Sequence, residues 1–494
     1  MNLYWGDLHN HCGISYGFGS LKNALNDARG HLDFCAVTGH AMWPDMYERN
    51  EDTAFIVDFH KRGFEKLLKG WPDVQKMVND YNTEDFVTFQ SYEMHSSYYG
   101  DHHFVSPDPD FPLIYRNSPA ELIRDSGCRA IAVPHHIGYT PGYRGINWDE
   151  FDSSISPIIE VYSKHGCSMR TDNPFPYLHD MGPLDPRNTI KEGLRRGKRF
   201  SFAGSTDHHA GFPGSYGDGL TGVWAEEKTR EGIWDAILKG HTYAVTGDRI
   251  ACRMTLNDAM MGDTVAAKKR EIRVEAEGDA PIEQITLRKN GRVIAINRSD
   301  DSIIADSENR YKLRVEMGWS NSPDKYHWDG EIAIDGGEFV RVQPYLRGRN
   351  ALSPADREAN SEDDTNALDN GYEMQAQHVS FRCDTICNKS TLHPLTSAFL
   401  FEVKATPDAV VTLKINGKEH TSRLGELLEN GYTGHMKPWH SHAYKMHTAV
   451  SADACKASVS LTDEPEKDVD VYQAEVLQSN GCRAFISPIF ATTD

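Results

Sequence analysis

Short apolar runs in the first half of the chain each end in side chains that can bind a metal ion. These runs cover residues 32–40, 86–93, 130–136 and 200–209, and each closes on His, Glu or Asp. Continuous apolar runs of this length are typical of strands that are buried on both faces of a parallel sheet. Because the carboxyl ends of such strands face the active site in α/β barrels, we expect these polar ends to form one site.

Helix-like stretches separate the strand-like runs up to about residue 250, which predicts repeated βα units and a parallel sheet. Seven strands are predicted, of which four end at His11, His40, Glu93 and His135, and the others cover 102–106, 158–163 and 200–206. The helices between them are predicted at 20–29, 55–68, 120–126, 190–197 and 229–238.

After residue 250 alternating polar and apolar positions replace the continuous runs, as in 271–275 and 331–334. Hairpin turns are predicted at Asn290-Gly291, Asp335-Gly336, Asn416-Gly417 and Asn480-Gly481. We therefore predict a first domain over 1–250 and an antiparallel, sandwich-like β module over 251–494. The segment 353–370 is acidic and poor in large apolar residues, which predicts a mobile loop.

Composition narrows the function classes. A chain of 494 residues is expected to form about two or three domains. A net charge of -20 disfavours nucleic acid as a partner. We therefore expect a small-molecule substrate. Whether the chain forms a homo-oligomer is left open. Nine cysteines without a Cys-x-x-Cys pair favour a reducing compartment. No apolar run is long enough to span a membrane, so no membrane segment is expected. The first motif lies close to Met1, so no signal peptide is expected. We therefore predict a cytoplasmic location.

The strongest chemical signal is the pair His9 and His11. Side chains two residues apart on a strand point to the same face, so the two imidazoles can bind one metal ion. In a chain with 23 histidines such a pair also arises by chance, and two solvated histidines on an edge strand are the alternative. The other apolar runs that end in metal-binding side chains favour the metal site.

Together these motifs resemble the PHP superfamily of metallohydrolases. The resemblance lies in Gly-Asp-Leu-His-Asn-His at 6–11, Thr-Gly-His at 38–40, Glu93, Pro-His at 134–135 and Ser-Thr-Asp-His-His at 205–209. Residues 241–247 and 480–489 resemble a long-chain branch that includes carbamate-ester hydrolases. The resemblance implies an α/β fold, a distorted (β/α)7 TIM-like barrel followed by the antiparallel β-sandwich-like module.

The resemblance also implies a set of metal ligands. His9, His11, Glu93 and Asp207 would bind one ion, and Glu93 would bridge to a second ion held by His135 and by His102 or His103. Strand alternation lets only one of the last two point inward. We predict His102, because related sequences place the first histidine of this run there. His40 and His209 would belong to a third position.

Two positions depart from the commoner motifs of this superfamily. Tyr16 and Gly39 stand where many of its members have metal donors. Fewer donors bind an ion more weakly, so we expect one or two divalent transition-metal ions, which these ligands allow to be Zn, Mn or Fe. His40 and His209 then complete a weak site or act on the substrate, since an unligated histidine titrates near neutral pH.

Hydrolysis by a metal-bound hydroxide is the reaction that such a centre favours. The wider activity of the superfamily favours phosphoesters, with Arg144, Lys164 and Arg170 as candidate substrate-binding cations or as ordinary surface charges. A carboxyl- or carbamate-ester hydrolase is the first alternative; its apolar pocket would draw on Trp43, Tyr98, Tyr99, Tyr139, Tyr143 and Trp148. A non-catalytic metal-binding module is the second, disfavoured because structural sites are normally closed.

Glu160 and His165 flank the end of the predicted strand at 158–163. Polar residues at the carboxyl end of a barrel strand are candidates for catalysis. We therefore predict that Glu160 and His165, together with His40 and His209, act on the substrate.

Overall fold

The computed structural model describes residues 1–179, 181–298, 307–320, 322, 324–351, 366–386 and 395–493. The helices are α1 (Leu21–Arg29), α2 (Ala54–Tyr81), α3 (Pro119–Ser126), α4 (Ile190–Arg195), α5 (Arg230–Lys239) and α6 (Leu424–Glu429), with single 3-10 turns at Pro186–Asn188 and Asp453–Cys455. The strands of the first half are β1 (Asn2–Asp7), β2 (Phe34–Cys35), β3 (Gly39–Met42), β4 (Val87–Thr88), β5 (Gln90–Met94), β6 (His102–Ser106), β7 (Ile131–Pro134), β8 (Ile158–Ser163), β9 (Gly166–Cys167), β10 (Ser201–Gly204), β11 (Leu220–Ala225) and β12 (Thr242–Val245).

The strands of the second half are β13 (Ala251–Leu256), β14 (Ala259–Met260), β15 (Thr264–Ala266), β16 (Arg270–Glu277), β17 (Ile282–Lys289), β18 (Arg292–Arg298), β19 (Arg310–Gly318), β20 (Lys325–Tyr345), β21 (Gly371–Gln375), β22 (His378–Ile386), β23 (Ser397–Ile415), β24 (Lys418–Arg423), β25 (Tyr432–His435), β26 (Ala443–Met446), β27 (Val450–Ser451), β28 (Lys456–Asp463), β29 (Val469–Gln478) and β30 (Arg483–Thr492). The described chain is thus a mixed α/β protein rich in strands. No helix within it is long and apolar enough to cross a membrane.

Strands are found at all seven predicted positions, and two of them are split into β2 with β3 and β4 with β5. The predicted parallel order is wrong at β6, which runs antiparallel to both β5 and β7. The cause is the short connection between β5 and β6, since parallel neighbours need a crossover of a dozen or more residues. The ladders β1–β2–β4, β3–β5 and β8–β10 are parallel as expected.

Backbone hydrogen bonds join the first strand of this group to the last. His11 N donates to His208 O at 2.8 Å, and Asp207 N donates to His9 O at 2.8 Å. The buried Asp7 carboxylate fixes the same junction by accepting from Thr206 Oγ1 at 2.6 Å and from Gly214 N at 2.9 Å. The chain segments that follow β1 and β10 therefore lie side by side, with their histidines at one end of the strands.

Helix α1 shows how the sequence fixes these elements. The Ser20 hydroxyl caps its start by accepting from Asn23 N at 3.2 Å. Apolar residues at helical spacing face the core; they are Leu21, Ala24, Leu25 and Ala28. Helix α2 is longer than predicted and continues through Pro72.

The second half is antiparallel, but its sheets are continuous with the first half. One sheet runs β18-β17-β29-β30-β12-β11-β1-β2-β4, so hydrogen bonds between β12 and β30 cross the predicted domain boundary at residue 250. A second large core lies among β19, β20, β22 and β23. The division at residue 250 stays a prediction, and the described residues form no break in the sheet there.

The Asn-Gly pairs predicted as hairpin turns connect β17 to β18, β23 to β24 and β29 to β30. Asp335-Gly336 is different, because both residues lie inside the long strand β20 and form a bulge against β23. Gly336 has a φ of 85°, a value that suits glycine and absorbs the extra residue without ending the strand.

Most of the predicted mobile loop, residues 353–365, lies outside the described residues. Asn366 belongs to the same predicted loop and is buried. Its amide donates to Ser20 O at 3.1 Å and to Gly211 O at 2.9 Å. The mobility of 353–370 stays a prediction.

Candidate metal centre

His9 and His11 follow β1 and project to the same side, as the sequence predicts. His9 Nδ1 donates to Glu160 Oε2 at 2.9 Å, and His11 Nδ1 donates to Thr38 O at 2.5 Å. These bonds use the Nδ1 proton of each ring and leave the lone pair on Nε2. The two Nε2 atoms lie 3.0 Å apart in a fully buried site. Two lone pairs that face each other need a shared proton or a cation between them.

Two carboxylates face the same point. Glu93 Oε2 is 3.4 Å from His9 Nε2 and 3.3 Å from His11 Nε2, and Asp207 Oδ1 is 3.5 Å and 3.2 Å from the same atoms. Ligands about 2.0–2.2 Å from a tetrahedral Zn²⁺ lie roughly 3.3 Å from one another. Two imidazole nitrogens and two carboxylate oxygens at these spacings fit a divalent transition-metal ion.

Asp207 is held in place by an unusual backbone conformation. Its φ of 48° lies in the left-handed region, which few residues other than glycine adopt. The hydrogen bonds of Asp7 to Thr206 and Gly214 fix the chain on both sides of it. Burial raises the pKa of Asp7 to about 6 despite these bonds. The strained backbone aims the Asp207 carboxylate at His9 and His11.

Glu93, at the end of β5, faces two groups of histidines with its two oxygens. Its Oε2 faces His9, His11 and, at 3.6 Å, His40 Nε2. Its Oε1 lies 3.2 Å from His135 Nε2 and 3.0 Å from His95 Nδ1. Although burial alone would raise it, the pKa of Glu93 lies well below its usual value because these histidines surround the carboxylate. Glu93 is therefore placed to bridge two ligand groups.

His103, and not His102, belongs to the second group. His103 Nδ1 lies 3.5 Å from His135 Nδ1, and the ring stacks on His9 with centroids 4.4 Å apart. His102 points the other way along β6, where its Nδ1 donates to Gly100 O at 2.9 Å. As alternation on the strand predicts, one ring of the pair faces inward, and it is His103 in place of the expected His102.

His40 and His209 lie beside His11 as predicted. The rings of His40 and His11 stack with centroids 3.9 Å apart, and those of His209 and His11 with centroids 4.3 Å apart. His209 Nδ1 donates to Asp207 O at 3.1 Å, which leaves its Nε2 lone pair free. Burial, assisted by the neighbouring His11, holds the pKa values of His40 and His209 well below their usual value.

The two departures from the commoner motifs have a packing cause. A Cβ at Gly39 would lie 2.6 Å from Leu67 Cδ1 of α2, so a side chain there would require Leu67 to shift. The Tyr16 ring stacks on His40 with centroids 3.8 Å apart and also packs on Gly63 of α2, where a Cβ would lie 2.3 Å from Tyr16 Cδ1. Close approach of α2 therefore replaces the two missing donors with packing contacts.

Sequence analysis missed His95, which directly follows β5 and enters the cluster. Its Nδ1 faces Glu93 and lies 2.9 Å from Asp101 Oδ2, and its Nε2 lies 2.7 Å from the Tyr16 hydroxyl. The signal was present, because Glu93 and His95 are two residues apart on a strand, like His9 and His11. His40, Glu93 and His95 thus form a further group of possible ligands. The donors missing at Tyr16 and Gly39 are in part replaced.

Arg144, predicted to bind substrate, is paired inside the protein. Its Nε donates to Asp101 Oδ2 at 2.7 Å, and its guanidinium also lies against His95. Although burial alone would raise it, the pKa of Asp101 lies well below its usual value because Arg144 and His95 face it. His136, also missed, points its Nε2 at the same carboxylate from 3.4 Å. Its φ of 30° lets it and the adjacent His135 both turn inward.

The other predicted cations also have carboxylate partners. Lys164 Nζ lies 3.2 Å from both oxygens of Asp218. Arg170 Nη1 donates to Glu475 Oε2 at 2.7 Å, on β29 of the second half. Both cations thus have a carboxylate partner within the protein, and their part in substrate binding stays a prediction.

Glu160 and His165 contact predicted ligands. Glu160 accepts from His9 Nδ1, and burial raises its pKa although His9 opposes the shift. His165 Nε2 lies 3.0 Å from Asp207 Oδ2, and its Nδ1 lies 2.7 Å from the Tyr139 hydroxyl. In these positions both side chains orient a ligand.

The predicted aromatic residues divide into two sets. Trp43 lies near the cluster, with its ring 5.5 Å from His95, while Trp148 packs against Phe151 and Phe200 in the core. Tyr98 and Tyr143 are exposed. Of the six aromatic residues predicted to line a pocket, Trp43 contacts His95 through its ring and Tyr139 contacts His165 through its hydroxyl.

Comparisons with known proteins give a limited likeness. A family model described as a protein of unknown function, DUF3604, matches residues 198–282. An uncharacterized protein of Chlamydia pneumoniae is 26% identical over 331 residues, which cover 59% of this chain and 48% of that protein. One of Chlamydia trachomatis serovar D is 25% identical over 324 residues, with 59% and 48% covered. The chain spans about half the length of the curated relatives it matches.

Two solved structures are also similar. One is a two-domain protein of Bacteroides vulgatus containing a predicted PHP-like metal-dependent phosphoesterase; it is 13% identical, with a TM-score of 0.34, and 61% of this chain and 80% of that chain are covered. The other is a lesion-specific endonuclease of Pyrococcus furiosus, 12% identical, with a TM-score of 0.30 and 48% and 56% covered. Both TM-scores are too low to support a conclusion, so the assignment below depends on this chain's own residues.

Proposed function

We propose that this protein is a metal-dependent hydrolase of the PHP superfamily that cleaves phosphoester bonds. In this proposal the strands from β1 to β10 form the distorted seven-stranded barrel of that superfamily. The position of Glu93 supports the proposal most directly, because its two oxygens face different groups of histidines. A carboxylate in this position suits a pair of ions, the arrangement used to stabilise both the attacking and the leaving oxygen in phosphoryl transfer.

The proposal assigns the ligand positions as follows. His9, His11 and Asp207 hold one ion, His103 and His135 hold the second, and Glu93 bridges them. When bound, such ions lower the pKa of water and polarise the ester. Zinc, manganese and iron all suit these nitrogen and oxygen ligands.

The remaining polar residues support the ligands or act near the substrate. Glu160 and His165 act as positioning residues, since each is hydrogen bonded or close to a ligand. Outer contacts of this kind fix the tautomer and the orientation of a ligand. His40 and His209 are the candidates for accepting a proton near the substrate, because they lie beside the first ligand group and burial lowers the pKa of both imidazoles.

One observation favours the carboxyl- or carbamate-ester alternative. Arg144, Lys164 and Arg170 are all paired with carboxylates. A neutral carbonyl substrate needs no free cation, whereas the non-bridging oxygens of a phosphate are usually met by charged donors. The two substrate classes therefore have to be separated by assay.

The test is a double variant, His9→Ala with His11→Ala, compared with His378→Ala and His435→Ala in the second half. We expect the first variant to lose at least one bound ion per chain and about two orders of magnitude or more of hydrolysis, since two ligands are removed. The control removes two histidines outside the cluster and should keep both. Metal analysis with a panel of aryl phosphates, aryl acetates and aryl carbamates gives the readout.

Full metal content and activity in the His9, His11 variant would contradict the metal centre. Turnover of the acetate or carbamate without turnover of any phosphate would contradict the phosphoester proposal and support the alternative.

A further inference from the structure

The segment after β20 brings residues of the second half to the edge of the candidate centre. His209 N donates to Ala351 O at 3.3 Å. A Cβ at Gly348 would lie 3.0 Å from His208 Cε1 and 2.4 Å from Phe212 Cβ, so the backbone passes directly over these side chains. The segment 346–351 is therefore fixed against the chain that carries Asp207 and His209.

Arg349 is the exposed cation on this segment. Its guanidinium lies over the ring of Phe18, with Cζ 5.2 Å from the ring centroid. No carboxylate of the described residues forms an ion pair with it, in contrast to Arg144, Lys164 and Arg170. Stacking on an aromatic ring orients a guanidinium without using its N–H donors, so the donors stay available to a ligand.

Phe18 places this guanidinium close to the histidines of the centre. Phe18 N donates to His209 O at 2.9 Å, and the Phe18 side chain packs with Ala210 and Ala351. Two residues earlier in the same loop, Tyr16 stacks on His40. Phe18 therefore links the two residues, since its ring lies under the Arg349 guanidinium and its backbone N–H bonds to His209.

We propose that Arg349 binds the phosphate group of the substrate, as an extension of the proposed function. The chain has a net charge of -20, so an anionic substrate needs a local cation to approach the centre. The planar guanidinium offers two parallel N–H donors, which match two non-bridging oxygens of a phosphate. On this proposal the second half completes the substrate site of the first, because Arg349 supplies a cation that forms no ion pair with a carboxylate of the described residues, unlike Arg144, Lys164 and Arg170.

The experiment compares Arg349→Ala and Arg349→Lys with Arg253→Ala in the metal-loaded full chain. Arg253 is the matched control, since it is also exposed and lies over an aromatic ring, Trp224, at 5.9 Å. Inorganic phosphate is the probe, and its affinity is measured by calorimetry. The value of kcat/KM is measured in parallel on an aryl phosphate and on a neutral aryl acetate.

We expect Arg349→Ala to weaken phosphate binding and to lower kcat/KM on the aryl phosphate by about 10- to 100-fold, as for a lost charged hydrogen bond. Arg349→Lys should fall between, because an ammonium keeps the charge and loses the paired donors. Metal content and any acetate turnover should not change, and Arg253→Ala should resemble the wild type.

Two results would overturn the proposal. One is equal phosphate affinity and equal kcat/KM in the wild type and Arg349→Ala, and the other is a metal-loaded wild type that binds no phosphate. Failure of the proposed function looks different: phosphate binds and depends on Arg349, yet no phosphoester is cleaved. That result would support Arg349 as an anion-binding residue and reject the phosphoesterase assignment.

Discussion

At the scale of single residues, hydrogen bonds to Nδ1 decide which nitrogen each histidine presents to the centre. Glu160 and Thr38 use the Nδ1 protons of His9 and His11, and the Asp207 carbonyl uses that of His209. The three Nε2 atoms are left as lone pairs. The groups that accept these Nδ1 protons therefore decide which nitrogen each histidine can offer to a metal ion.

Neighbouring histidines on β6 provide a paired prediction at this scale. We expect His103→Ala to lower metal affinity at least about 10-fold, because it removes a nitrogen beside His135. His102→Ala should leave metal affinity unchanged, since this ring is bonded to Gly100 on the opposite side of the strand. Metal titration of both variants, with circular dichroism to check folding, measures the difference. A larger loss in the His102 variant would restore the ligand predicted from the sequence.

The sequence predicted most of the residues that converge, but not all. His9, His11 and Glu93 could be predicted because they stand in motifs and end apolar runs. His95 obeys the same two-residue rule and was overlooked because it falls after the end of the apolar run. The pairing of Arg144 with Asp101 could not be predicted, since it joins two loops whose approach depends on the tertiary fold.

At the scale of elements, α2 decides the shape of the centre. Leu67 of this helix fills the space beside Gly39, and the Tyr16 ring packs between Gly63 and His40. We expect Gly63→Ala to destabilise the protein by about 1–3 kcal/mol, because the new methyl group overlaps the Tyr16 ring. Activity should fall as well, since Tyr16 would move against His40. Thermal or urea unfolding measures the first effect and kcat/KM the second.

Gly70→Ala in the same helix is the matched control. No atom lies within 4 Å of a Cβ at this position, so only the helix propensity changes. Alanine should stabilise the protein by roughly 0.5–1 kcal/mol and leave activity unchanged. If both variants behaved alike, close packing of α2 on Tyr16 would not control the centre.

The apolar pattern predicted the positions of the strands more reliably than it predicted their directions. The periodicity located β6 but could not show that it runs antiparallel, because direction depends on the connection and not on the run itself. The Asp335-Gly336 pair shows a related limit. An Asp-Gly pair can form either a hairpin turn or a bulge. Here it forms a bulge, because β20 continues past it and pairs with the distant strand β23.

At the scale of the whole molecule, the two halves share hydrogen bonds and a buried charge. Strand β12 pairs with β30, and Phe202 N of β10 donates to Ser487 Oγ at 2.7 Å. The fully buried Asp248 accepts from Gln478 at 2.9 Å and from Asn480 at 2.7 Å, and also pairs with Arg314. Removal of the second half would expose a strand edge and take three partners from this carboxylate, leaving the Tyr216 hydroxyl of the first half at 2.8 Å. Loss of the charged partner is strongly destabilising for a buried ion pair.

We therefore expect the fragment 1–250 to lack a cooperative thermal transition, whereas the full chain unfolds with both halves together. Calorimetry of the fragment and of the full chain measures this, with near-ultraviolet circular dichroism as a second probe. Co-expression with 251–494 is the control, because it returns β30 to the edge of β12 and the partners to Asp248. A fragment that unfolded cooperatively near the melting temperature of the full chain would show that residue 250 separates independent domains. The shared sheet would then be a contact between two folded units, and neither half would need it to fold. Arg349 would in that case reach the centre across an interface that can open.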